Sequence, residues 1–142
     1  MLPIHPALVH FPIAFLSLAA VLRLWLLRSN ATWVHATARL CLWLGTVSLG
    51  AAVLSGQATL PSAVPAEAAV TLELHRQFGF ALLLWYGGLS LWELVRMNTI
   101  LPGERFALAF AHIAGTTVLF LTAFLGGRLV YEFGIGVLSP GN

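Results

Sequence analysis

Four long apolar stretches, separated by short breaks, decide what this chain can fold into. They run from about Ala7 to Leu27, Leu40 to Leu60, Leu72 to Val95 and Phe106 to Val130. Each reaches the roughly 20 residues that a helix needs to cross the hydrocarbon core of a bilayer. The breaks are Arg28-Ser29-Asn30, Pro61-Ser62-Ala63-Val64-Pro65, and the segment from Asn98 to Gly103 that holds Pro102. Connections this short make neighbouring helices antiparallel. The expected fold is all-α: an integral membrane four-helix bundle, up-down-up-down. It forms a single transmembrane domain over residues 1–142, with helices at about 7–28, 33–60, 71–97 and 104–132. No internal repeat or low-complexity tract stands out.

Composition excludes the alternatives. Hydrophobic residues make up 59% of the 142 and charged residues only 8%, against about 25% charged in an ordinary soluble domain. That is too little polar surface for a conventional soluble enzyme, and the seven Arg are too dispersed for a nucleic-acid binder. A single cysteine, Cys41, excludes an internal disulfide and reads as a small buried hydrophobe. A copper site would have to draw on Cys41, Met1 and Met97, which lie toward different faces. The N-terminal segment lacks a basic n-region and reads as a retained first helix.

Arginine placement orients the bundle. Arg23, Arg28, Arg39, Arg96 and Arg105 flank the first-to-second and third-to-fourth connections, whereas Arg76 and Arg128 lie at the opposite side. The positive-inside rule makes the first side cytoplasmic. In a bacterium, both termini then face the periplasm from the inner membrane. Small residues on the second helix (Gly45, Ser48, Ala52 and Gly56) form a close-packing stripe that reads as scaffold.

Ionisable residues at depth are costly, so they pair or function. Arg23 and Glu93 approach the same membrane face and are able to pair; snorkelling of each to the interface is the expectation. His35, between arginines, reads as interfacial. His10 and His75 each sit about three residues into parallel helices, at similar depth. Two neutral imidazoles facing across a bundle are what a bis-histidine haem iron requires, so haem b is the expected cofactor. Arg76 and Arg128 are positioned to hold propionates. Phe11, Phe78 and Phe124 are placed to form apolar walls, and Gly79, Gly126 and Gly127 to admit a flat macrocycle. His5 and His112 are alternative ligands. For His112, the deepest ionisable group, packing or hydrogen bonding is the expectation. No Ser–His–acid set, paired carboxylates or phosphate loop is present.

The opening His5-Pro6-Ala7-Leu8-Val9-His10-Phe11-Pro12-Ile13-Ala14 resembles the HPxLVHFPIA start of the bacterial DUF2231 membrane proteins. Leu125-Gly126-Gly127-Arg128-Leu129-Val130-Tyr131 with Gly134-Ile135-Gly136-Val137 is similar to that family's tail, and Leu74-His75-Arg76 with Gly79 also fits. The resemblance spans nearly the whole chain. Related segments occur beside Rieske and cytochrome c modules, which implies electron transfer. The implied partners are the lipid bilayer, a periplasmic cytochrome c or Rieske-type protein, a quinone, and further copies or other subunits. A similar module has a histidine just before its Gly-Gly pair; Phe124 stands there in this chain. The expected function is therefore a membrane-embedded b-type cytochrome-like electron-transfer protein rather than a stand-alone enzyme. The alternative is a cofactor-free accessory subunit of a larger respiratory or photosynthetic complex. A transporter or channel component fits less well, because intramembrane charges are few and no helix pair is broken.

Overall fold

A computed structural model describes residues 4–60, 63–96 and 102–136. Among them there are helices and turns but no strand. The elements are α1 (Ile4–Leu8), α2 (His10–Trp25), α3 (Thr32–Ala58), α4 (Ala66–Val95) and α5 (Pro102–Tyr131). Together α1 and α2 make the first of four helical spans long and apolar enough to cross a membrane, Ile4–Trp25. Their break at Val9 has a local cause. Pro12 offers no N–H to the Leu8 carbonyl four residues back, and its ring crowds that carbonyl.

The later helices start and stop on local signals. α4 begins at Ala66, ahead of the expected start near 71, because Pro65 precedes it with extended ψ and Glu67 lies in the first turn. An acidic side chain there complements the helix dipole. α5 closes in an αL motif: Gly134 N–H donates to Val130 O (3.1 Å), and Ile135 N–H reaches Leu129 O (2.8 Å). Gly134, three residues past Tyr131, adopts φ +66°, a left-handed conformation that favours glycine.

α2 packs against α3 and α5, and α4 packs against α5 and α3. The core runs along Leu16, Leu22, Val34, Leu42, Leu49, Leu82, Tyr86 and Leu119. Large apolar side chains such as Val47, Leu84 and Phe110 point outward, largely exposed on what would be the lipid-facing surface. In water such a surface would aggregate; against acyl chains it is matched to its solvent.

The bundle is built from two hairpins whose contacts match at a constant offset, an internal repeat. Each residue of the α4–α5 half lies seventy positions after its counterpart in the first half. Gly45 of α3 packs so closely on α2 that a Cβ there would lie 2.5 Å from Leu16 Cδ2. Its counterpart, Gly115 of α5, packs equally closely on α4, where a Cβ would lie 2.8 Å from Tyr86 Oη. Tyr86 is the counterpart of Leu16. The two hairpins run the same way through the bundle, so the pseudo-two-fold axis lies along the helices. The pattern of helix contacts obeys it.

Candidate functional site

Two histidines occupy equivalent places in the two hairpins. His5, on α1, donates from Nδ1 to the Ala52 carbonyl of α3 at 2.9 Å, with Ser55 Oγ at 3.0 Å. His75, on α4, donates from Nδ1 to the Thr122 carbonyl of α5 at 2.9 Å. Both bonds span 47 residues. Four residues beyond each acceptor stands a glycine. A Cβ at Gly56 would meet His5 Cε1 at 3.0 Å, and one at Gly126 would meet His75 Cε1 at 2.9 Å. Both rings therefore lie flush on the neighbouring helix because that helix has no side chain there.

The rings meet in an edge-to-face arrangement, with centroids 6.3 Å apart and planes at 84°. A neutral imidazole that donates from Nδ1 carries its lone pair on Nε2. Each ring thus commits one nitrogen to the scaffold and keeps the other for a ligand. They open on a cavity of about 410 Å³, in the size range of small-molecule sites, walled mainly by apolar side chains of all five helices and the Ile135–Gly136 turn. Its polar groups besides the two histidines include His10, Gln57 and Arg76. Arg76 donates to Gln57 Oε1 (3.2 Å) and to Glu73 Oε2 (3.4 Å), while its buried Nε has no hydrogen-bond partner.

The residues expected from sequence sort themselves around this cavity. His75 and Arg76 line it, as do Gly79, Gly126 and Gly127. His10 also lines it but is exposed, and the imidazole that meets His75 is His5. Val9 keeps helical dihedrals, and the five residues between His5 and His10 turn them to different faces of the span. Arg128 is not among the lining residues. It makes a bidentate pair with Glu132 one helical turn on, at 2.8 and 2.9 Å. Those hydrogen bonds hold the exposed Glu132 carboxyl below its ordinary range. Phe11 and Phe78 also lie off the cavity, and Phe124 is exposed. Cys41 is buried in the core, and Met1 and Met97 lie outside the described residues. No group of three or more His, Cys, Asp or Glu gathers at one point among the described residues.

A second polar cluster fills the other end of the bundle. Arg23 and Glu93 form an ion pair, 4% and 1% exposed. Snorkelling was the expectation; the pseudo-two-fold instead brings these equivalent positions face to face across the axis, inside the packed helices. His112, fully buried, donates from Nδ1 to Leu108 O at 2.8 Å and presents Nε2 to Glu93 Oε1 at 4.0 Å. Its ring meets the edge of Tyr86, whose hydroxyl bonds Thr116 Oγ1 at 3.1 Å.

The family profile described as a predicted membrane protein, DUF2231, matches residues 1–139. The chain belongs to the DUF2231 family. No curated protein and no solved structure matches it. In this DUF2231 protein the two stretches that carry the family pattern, the His5–Ala14 start and the tail from Leu125, both border the cavity. Sequence reasoning missed His5 as the partner of His75. A signal was present: His5 and Gly56 recur as His75 and Gly126, and Gly45-Thr46 recurs as Gly115-Thr116, all at one offset.

Proposed function

We propose that this protein binds haem b between His5 and His75 and works as a membrane-embedded single-electron carrier. The observation that carries this reading is the 6.3 Å spacing of two imidazoles whose Nδ1 atoms are both committed to backbone carbonyls. With metal–nitrogen bonds of about 2 Å, an ion held by both Nε2 atoms sets the ring centroids about 6 Å apart. A donor set of only two histidines suits an iron whose other four positions are filled by a macrocycle. The cavity beside them is walled mainly by apolar side chains, which suits a macrocycle. Arg76, with an unpartnered Nε and a Gln57 neighbour, is the group suited to a propionate. When bound, the haem supplies a one-electron couple. The chain fixes the imidazole orientations, excludes water and provides the counter-charge.

The arginine distribution supports a bacterial inner membrane with the His5–His75 end facing the periplasm. The partner that fits this end is a periplasmic cytochrome c or Rieske-type protein, with quinone as the exchange partner within the bilayer. The test is the optical spectrum of the detergent-purified protein, oxidised and then dithionite-reduced. The expected result is a sharp reduced α-band and a b-type pyridine haemochrome, lost in His5→Ala and His75→Ala and kept in His10→Ala. A colourless protein after expression with ample haem would overturn the reading and favour a cofactor-free accessory subunit.

A further inference from the structure

We infer that Glu93 and His112 together bind one exchangeable proton, with Arg23 as the fixed counter-charge. This inference stands independently of haem.

Packing alone does not require a histidine at position 112. Its counterpart in the first hairpin is Leu42, which fills the equivalent place and is equally buried, 0% exposed. The hairpin scaffold therefore accepts an apolar side chain there. Likewise, position 93 holds Glu where its counterpart, position 23, holds Arg. The second half departs from the repeat by adding an acid and a base to the same buried spot.

The arrangement of hydrogen-bonding atoms then calls for a proton. His112 Nδ1 points to a carbonyl, which only accepts, so that nitrogen must carry hydrogen. In the neutral ring Nε2 is then an acceptor. It faces Glu93 Oε1, another acceptor, at 4.0 Å, and neither atom has a hydrogen-bond partner. Two buried acceptors aimed at each other leave both unsatisfied. One added proton resolves the conflict, on the imidazole with Glu93 accepting or on the carboxyl with Nε2 accepting.

The charges around the pair keep that proton exchangeable. Arg23 of α2 pairs with Glu93, and Arg39 of α3 also acts on it electrostatically. From α4, Tyr86 turns its ring toward His112, and its hydroxyl is engaged by Thr116 of α5. The guanidiniums of Arg23 and Arg39 oppose a further positive charge on His112, whereas the Glu93 carboxylate favours it. Arg23 and Glu93 each lie two residues before the end of their helices, so that membrane face is the nearer aqueous phase for the proton.

The experiment is a pH titration of the full-length protein in lipid. The carboxyl C=O stretch is followed by infrared difference spectroscopy, and the imidazole by 15N-histidine NMR, from about pH 5 to about pH 8, the range in which histidine ordinarily switches. The expected result is one titration carried jointly by the pair. Glu93→Gln removes the carboxyl signal and moves the His112 midpoint by about one pH unit or more, and His112→Leu does the same to Glu93. Leucine is chosen at 112 because Leu42 occupies the equivalent buried position of the first hairpin. The inference is overturned if neither group changes protonation across the range, or if each midpoint is indifferent to replacement of the other.

Discussion

His5 and His75 stand at equivalent positions of two related hairpins and meet across the pseudo-two-fold axis, centroids 6.3 Å apart. Each is held by a carbonyl of the adjacent helix rather than by its own. The spacing between the rings is therefore set by how the four long helices pack, and substitutions that leave both histidines in place will still move them.

The glycines behind the rings give the first such test. Gly126→Ala puts a methyl 2.9 Å from His75 Cε1 and must displace the ring. Overpacking of this kind costs about 1–3 kcal/mol. The expected outcome is a destabilised protein with reduced haem content, whereas Gly127→Ala, whose Cβ meets nothing within 4 Å, retains both. Thermal unfolding in detergent and haem stoichiometry check the pair.

Ser55→Ala tests the hydrogen bonding that orients His5. The serine oxygen lies 3.0 Å from His5 Nδ1 and also donates to Ala52 O at 2.8 Å. Loss of a partner that orients a ligating histidine weakens metal affinity by about 10–100-fold. The remaining Ala52 carbonyl places the expected loss near the lower end, read from haem titration of the apo-protein.

The two cavity-side and surface arginines are predicted to differ. Arg76→Ala removes the guanidinium that lines the cavity and should weaken haem binding. Arg128→Ala breaks only an exposed pair with Glu132, and exposed, solvent-screened pairs add little to stability. Equal haem affinity in the two variants would remove Arg76 from the site.

The buried ion pair is testable by a double-mutant cycle. Arg23→Leu leaves Glu93 buried beside one fewer cation, and breaking a buried pair this way costs about 3–5 kcal/mol. Replacing both residues with leucine should recover much of that stability, because a hydrophobic pair of similar volume is often neutral. Unfolding in mixed micelles of the single and double variants gives the coupling directly.

Much of the fold was legible before any coordinates. Hydropathy placed four membrane-length helices, and the breaks that hold Pro65 and Pro102 marked where the third and fourth begin. The cavity side was partly legible as well, because His75, Arg76 and the glycines that line it stand out by type. His5 was assigned a lesser role because its place outside the first long helix hides that α1 leans on α3. Arg128 and the phenylalanines were read as walls and clamps from helix position alone, yet Arg128 turns to Glu132. Depth along a helix is written in the sequence; the direction a side chain faces is fixed only when a neighbouring helix is present.

The amino-acid sequence by itself determined that this chain must bury its surface in lipid, as four helices, because apolar length and scarcity of charge leave no other solvent for it. Only the tertiary structure decided which polar residues meet. The pseudo-two-fold packing carries residues seventy positions apart to opposite sides of one axis, pairing His5 with His75 and Arg23 with Glu93. Hydropathy and helical period are local quantities, whereas pairing across an axis depends on close helix contacts such as Gly45 on Leu16 and Gly115 on Tyr86.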